Sequence, residues 1–103
     1  MKIFNIIQTS ERFMTNVASY KDRDGADFHM AMKSVILIKE GYRLESYCHD
    51  LVEGDPNKDV GTYIRKYLAA RRDTEHSFEV EFVKEGRRGE ETLKLTFQIS
   101  ELS

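Results

Sequence analysis

The sequence predicts an α+β domain in which two to four helices pack on a C-terminal antiparallel β-hairpin. Apolar and polar residues alternate with period two over 78–82 and 93–99, on both sides of a glycine-containing polar stretch, and this pattern is typical of paired strands. Apolar residues also recur at helical spacing over 57–72. A chain of 103 residues has room for one such domain, over 1–103.

The predicted hairpin has a polar loop over 84–91 that contains glycine. A symmetric loop fixes the register, because each residue before it then faces its counterpart after it. The resulting cross-strand pairs are Phe82–Leu93, Val80–Leu95 and Glu81–Lys94. The last pair joins opposite charges on the polar face, and the apolar face requires a covering layer.

The best candidate for that covering layer is the helix predicted over 57–72. Asp55 can cap its N-terminus and Pro56 suits its first turn. Arg71 and Arg72 complement the negative end of the helix dipole. We therefore expect the apolar side of this helix to lie on the hairpin.

The middle of the chain fits more than one structure. Residues 27–39 are predicted as a helix, although the apolar run Val35–Ile38 would suit a buried strand equally well. Residues 42–52 fit a short helix, which a turn over 53–57 would join to the helix over 57–72.

The first twenty residues also leave a choice open. One long helix fits the spacing of their apolar residues, and a strand over 2–7 followed by a helix from Ser10 fits nearly as well. The second choice would extend the hairpin by an N-terminal strand. Residues 21–25 are predicted as a loop, because they combine alternating charges with glycine.

Composition favours a folded protein in an aqueous, reducing compartment. Lysine and arginine number 16 against 18 aspartates and glutamates, so the net charge is -2. A mixed charge of this kind selects neither a polyanion nor a polycation as partner. The apolar runs are too short to cross a bilayer, and the single cysteine, Cys48, cannot form an internal disulfide. We therefore expect a cytoplasmic protein that binds no membrane.

The sequence contains no motif for metal, cofactor or nucleophilic chemistry. Cys48 and His49 are adjacent and lack a second cysteine, and the acidic segment 55–59 lacks the glycine and the bidentate glutamate of a calcium loop. Neither a G-x-S-x-G elbow nor a glycine-rich phosphate loop occurs. We predict no metal, no cofactor and no catalytic residue. An enzyme is the third functional hypothesis, with a site at a dimer cleft and His29, His49 or His76 as its acid or base.

The first functional hypothesis is a small non-enzymatic regulator or adaptor, of the inhibitor or assembly-factor type, that binds another protein. Tyr63 and Tyr67 lie four residues apart on the helix over 57–72, and tyrosine is frequent among residues that dominate binding energy. If exposed, they are the predicted partner-binding residues, together with the edge strands of the hairpin. Three methionines suit either an adaptable binding surface or a core: Met14, Met30 and Met32. A homodimer is expected if two copies build a cleft together.

The second functional hypothesis is a winged-helix-like DNA-binding protein. In such proteins a helix enters the major groove and a hairpin loop contacts the phosphate backbone. The helix over 57–72 would read DNA, 42–52 would be its partner helix, and the loop over 84–91 would be the wing. The predicted nucleic-acid contacts are Lys58, Arg65, Lys66, Arg72, Lys84, Arg87 and Arg88. Acidic residues beside both elements argue against this hypothesis.

Overall fold

The computed structural model describes residues 1–11, 13–45, 47–48, 50–73 and 77–101. Within these ranges the chain is a small α+β fold, with one antiparallel sheet of five strands and two α-helices. In chain order the elements are β1 (Lys2–Ser10), β2 (Met14–Tyr20), α1 (Arg23–Lys39), β3 (Arg43–Leu44), a 3₁₀-helix (Pro56–Asp59), α2 (Val60–Ala70), β4 (Phe78–Gly86) and β5 (Gly89–Glu101).

The N-terminal strand lies inside the sheet, whose strand order is β2-β1-β5-β4-β3. It pairs antiparallel with β5 and so extends the hairpin, as one of the two choices predicted. The other choice, one long helix over the first twenty residues, is wrong. The helix predicted from Ser10 is wrong, since β2 pairs with the other side of β1. The Ser10 N–H donates to the Phe13 carbonyl oxygen at 2.8 Å and closes the turn between the two strands. Backbone pairing along β1 thus overrides the helical spacing of the side chains.

The predicted C-terminal hairpin is confirmed together with its register. The cross-strand pairs include Phe82–Leu93, Val80–Leu95 and Glu81–Lys94. The loop is shorter than the predicted 84–91, because β4 continues to Gly86 and β5 starts at Gly89, which leaves Arg87 and Arg88 as the turn. Gly89 has a φ of +113°, a conformation that glycine adopts without strain and that tight hairpin connections need.

The helix predicted over 42–52 is wrong, because none of its described residues is helical. Arg43 and Leu44 form β3 at one edge of the sheet, where Leu44 pairs with Phe82 and is 3% exposed. The Asn57 side chain makes the backbone hydrogen bonds that a further strand would make with β3. The Leu44 N–H donates to Asn57 Oδ1 at 2.6 Å, and Asn57 Nδ2 donates to the Leu44 carbonyl oxygen at 3.4 Å. The described residues therefore do not form the predicted helix-turn-helix pair.

The helix predicted over 27–39 is confirmed and begins four residues earlier, at Arg23. Asp22 causes the earlier start, because the backbone N–H groups of Asp24 and Gly25 donate to its carboxylate. An aspartate at this position satisfies donors that the first helical turn otherwise leaves without partners. The loop predicted before this helix is correspondingly shorter.

The helix predicted over 57–72 is observed as the 3₁₀-helix followed by α2. Asp55 caps the 3₁₀-helix and Pro56 is its first residue, as predicted, while Asp59 caps α2. The apolar side of α2 belongs to the core beneath the helices, in agreement with its predicted role as a cover. Its buried residues are Val60, Tyr63, Ile64 and Leu68.

The helices cover one face of the sheet, and the core lies between the two layers. The sheet and the helices contribute, among others, Phe4, Ile6, Val80, Phe82, Leu95 and Phe97, and Ala26, Met30, Leu37, Ile64 and Leu68. Strand residues between the buried positions, such as Asn5, Glu81 and Thr96, face the other side of the sheet. Neither helix in the described ranges has the length and apolar character needed to cross a membrane.

Candidate functional site

The exposed side of α1 carries a line of large apolar side chains. Phe28, Met32 and Ile36 are spaced four residues apart, which places them on one side of a helix. They are 54%, 45% and 43% exposed. The other side of α1 fills the core with residues such as Met30 and Leu37. A helix that covers a sheet normally turns polar residues towards solvent, and these three residues, which we call the apolar stripe, depart from that pattern.

The neighbouring helix adds a cation to this stripe. The Arg65 guanidinium lies over the Phe28 ring, 5.7 Å from its centroid, a distance at which cation and ring attract each other. Arg65 is exposed, so its charge remains accessible. The apolar stripe and the exposed side of α2 thus form one surface, which we call the helical face.

Contacts near both ends hold α1 and α2 antiparallel. A Cβ atom on Gly61 would lie 3.3 Å from Val35 Cγ2, so the absence of a side chain permits this close approach. Arg72 Nη2 donates to Asp24 Oδ1 at 2.9 Å, and Arg23 Nη1 donates to the Arg72 carbonyl oxygen at 2.8 Å. These contacts make the helical face a pre-formed surface, and pre-formed surfaces lose less entropy on binding.

Cations predominate on the helical face, where the exposed carboxylate of Asp24 lies four residues before Phe28 and is paired with Arg72. The segments 28–39 and 60–72 contain no aspartate or glutamate, and their cations are Lys33, Lys39, Arg65, Lys66, Arg71 and Arg72. Arg72 is paired with Asp24, and the Arg71 guanidinium lies over the Tyr67 ring. Arg65, Lys66 and Lys39 are exposed on the same two helices as the apolar stripe. The face therefore combines apolar contact area with positive charge.

The opposite face of the sheet is acidic. Glu79 and Glu81 alternate along β4 with the buried Val80 and Phe82, and Glu85 follows Glu81 by four residues, so these glutamates lie on the side away from the helices. Lys94 compensates part of this charge, with its Nζ 3.8 Å from Glu79 Oε1. The exposed side of β4 is thus mainly acidic, whereas the segments 28–39 and 60–72 carry cations.

Tyr63 does not meet the condition of exposure on which its partner-binding role was predicted. It is 1% exposed, and its hydroxyl oxygen accepts a hydrogen bond from the Cys48 N–H at 2.8 Å. Burial raises the pKa of Tyr63. Tyr67 is partly buried: its hydroxyl donates to the Glu79 carbonyl oxygen at 3.4 Å, and the Arg71 guanidinium lies 3.9 Å from its ring centroid. Both tyrosines connect α2 to neighbouring segments.

The three methionines divide between the two roles that the sequence allowed. Met30 is fully buried, whereas Met32 is 45% exposed and Met14 is 74% exposed. The four-residue spacing of Met32 with Phe28 and Ile36 is the signal that sequence reasoning missed. It identifies an exposed side only after the opposite side of α1 is known to face the sheet.

The structure does not bring the predicted nucleic-acid contacts together. Lys58 and Lys66 line a depression beside the carboxylates of Asp55 and Asp59, which oppose their charge. Arg65 and Arg72 make the contacts of the helical face that are described above.

The hairpin tip holds the remaining predicted nucleic-acid contacts. Lys84 Nζ lies 5.1 Å from the centroid of the Tyr42 ring. Arg87 and Arg88 line an open cavity of about 500 Å³ between the tips of the two hairpins. That cavity is also lined by Ser10, Glu11, Phe13, Glu90, Glu91 and Thr92. Carboxylates among the arginines make this a mixed site and weaken it as a phosphate-binding wing.

The predicted histidines give no catalytic arrangement in the described part of the chain. His29 Nδ1 and the Tyr20 hydroxyl are hydrogen-bonded at 2.8 Å. Across the described ranges, no group of three or more His, Cys, Asp or Glu side chains is placed to hold a metal ion. His49 and His76, the other two candidates, lie outside the described residues.

Comparison of the chain with protein-family models, with curated proteins and with solved structures finds no significant match.

Proposed function

We propose that this protein is a small non-enzymatic regulator or adaptor that binds a partner protein through the helical face. The apolar stripe carries the proposal, because Phe28, Met32 and Ile36 remain about half-exposed on a helix whose other side already fills the core. Contiguous exposed apolar side chains on a small domain mark interaction sites. A cytoplasmic location belongs to the same proposal and is supported by the single cysteine.

The charge of the helical face indicates what the partner presents. Arg65 and Lys66 on α2 and Lys39 on α1 are exposed, and no carboxylate lies within 28–39 or 60–72. Complementary charge speeds association and disfavours wrong partners. We therefore propose a partner that presents apolar anchor residues surrounded by aspartates and glutamates.

Nucleic acid fits the helical face less well than a protein does. Phosphates are contacted by cations and other hydrogen-bond donors, whereas apolar side chains occupy this face. Arg72, one of the predicted DNA contacts, is already paired with Asp24. DNA binding is therefore kept as an alternative outcome of the experiment.

Site-specific photocrosslinking tests the proposal. A benzoylphenylalanine in place of Met32 lies in the apolar stripe, and one in place of Glu85 lies on the acidic sheet face as a matched control. In cells of the native host we expect protein adducts from position 32 alone. These adducts should disappear when Arg65→Glu and Lys66→Glu are added. Equal adducts from both positions, adducts to nucleic acid, or no adduct from position 32 would each disprove the proposal.

A further inference from the structure

We propose that the partner protein docks as an amphipathic α-helix that lies along the apolar stripe and carries acidic residues beside Phe28. This is the partner of the proposed function, on which the proposal rests, and what is added is the conformation of its docked segment. Phe28, Met32 and Ile36 are about half-exposed, whereas Met30 and Leu37 on the other side of α1 fill the core. The stripe is therefore a continuous row that faces away from the sheet.

The apolar stripe offers a partner side chains and no backbone groups. Residues 28–36 lie within α1 (Arg23–Lys39), where each backbone N–H donates to the carbonyl oxygen one turn earlier. An extended segment laid on the stripe would bury part of its own N–H and C=O groups against apolar side chains, without partners. A helix pairs its backbone groups internally and presents side chains alone. A helix is therefore the occupant that matches this surface.

The other common modes of peptide binding need features that lie elsewhere. Addition of a strand needs a sheet edge, and the edge strands β2 and β3 belong to the sheet layer beneath the helices. A polyproline segment docks in a groove lined by aromatic rings, and Phe28 is the single aromatic residue of the stripe.

The charge beside Phe28 is positive and accessible. The Arg65 guanidinium lies 5.7 Å from the centroid of the Phe28 ring, and its side chain is exposed. The segment 60–72 around it contains no carboxylate. The Asp24 carboxylate, four residues before Phe28, is paired with Arg72 at 2.9 Å. An aspartate or glutamate of the docked helix beside Phe28 complements the charge of Arg65.

The length of the stripe distinguishes a docked helix from an extended segment. Eight residues separate Phe28 from Ile36, which corresponds to about 12 Å along the axis of α1. A partner helix covers this distance with about eight of its own residues. A strand or a polyproline segment covers it with about four.

Photocrosslinking from three positions measures this number. A benzoylphenylalanine replaces Phe28, Met32 or Ile36 in separate variants of the full chain, in cells of the native host, and mass spectrometry maps each attachment site in the captured partner. We expect the sites to lie in one segment and to shift by about eight residues between positions 28 and 36.

The other outcomes of this experiment separate the two proposals. A total shift of about four residues, or sites scattered over the partner, would overturn the docked helix and leave the proposed function standing. The absence of adducts from all three positions would overturn both.

A synthetic peptide of the mapped segment, titrated against the full chain by calorimetry, gives a second measurement. Proline in place of a solvent-facing residue at its centre should weaken binding at least about tenfold, because proline breaks a helix. Alanine at the same position is the control and should change the dissociation constant less than about twofold. Equal dissociation constants for the proline and alanine peptides would contradict the proposal.

Charge reversal tests the contact with Arg65. Arg65→Glu should weaken binding of the peptide about threefold to tenfold, and lysine in place of the acidic peptide residue nearest Phe28 should restore it. The matched control Arg88→Glu makes the same change of charge at the hairpin tip and should leave the dissociation constant unchanged. Circular dichroism confirms that both variants are folded. Equal effects of the two variants, or no restoration by the lysine peptide, would count against an acidic helix.

Discussion

Two methionines on α1 allow a direct test of which side of this helix is exposed. Met30 is fully buried and Met32 is 45% exposed. Truncation to alanine removes the same atoms at both positions, and alanine suits a helix at least as well as methionine does. A difference in stability between the two variants therefore reports the surroundings of the side chain.

We expect Met30→Ala to lower the free energy of unfolding by about 2–5 kcal/mol, because it removes a buried side chain and leaves a cavity. Met32→Ala removes a side chain that is already 45% exposed and leaves no enclosed cavity, so its loss should stay below about 1 kcal/mol. Since 1 kcal/mol corresponds to roughly 4–8 °C in a domain of this size, the melting temperatures should differ by more than about 5 °C.

Urea denaturation followed by far-ultraviolet circular dichroism measures both losses. Equal losses for Met30→Ala and Met32→Ala, or a larger loss for Met32→Ala, would refute the assignment of Met32 to the apolar stripe.

Two further predictions use the same denaturation assay. Tyr63→Phe should lower the free energy of unfolding by about 1–2 kcal/mol, because the Cys48 N–H loses its acceptor. Tyr67→Phe removes a longer bond of 3.4 Å and should lower it by less than about 0.5 kcal/mol. Similar losses for the two variants would count against the structural role of Tyr63. Burial raises the pKa of Asp27 above its ordinary 3.8, so its contribution to stability is complete below that pH and declines as the pH rises through the native pKa. Asp27→Asn should therefore gain stability relative to the wild type as the pH rises from below 3.8 through the native pKa of Asp27, and a constant difference would contradict this sign.

The elements that the sequence predicted correctly are those with strong local periodicity. Residues close together in the chain determine the hairpin of β4 and β5. The same holds for the helical segment formed by the 3₁₀-helix and α2. Met14–Tyr20 and Leu44 were predicted as helical because their apolar spacing fits a helix too. Their extended structure is decided by distant partners, β1 for the first and Phe82 with Asn57 for the second.

The candidate site was less predictable for a related reason. α1 has apolar residues on both sides, so its sequence does not tell which side faces the sheet. Phe28, Met32 and Ile36 become an exposed group only once Met30 and Leu37 are placed in the core. Tyr63 was expected at an interface because its side chain is amphipathic. It is buried instead, and its hydroxyl oxygen accepts a hydrogen bond from the Cys48 N–H.

We propose that the helical face binds a partner protein through the apolar stripe. Isothermal titration calorimetry, with the purified protein that crosslinks at position 32, tests it most directly. We expect Met32→Glu to weaken binding at least about tenfold, because it places a carboxylate against an acidic, apolar surface. The variant should keep its free energy of unfolding within about 1 kcal/mol of the wild type. An unchanged dissociation constant, or a loss of binding that accompanies unfolding, would contradict the account.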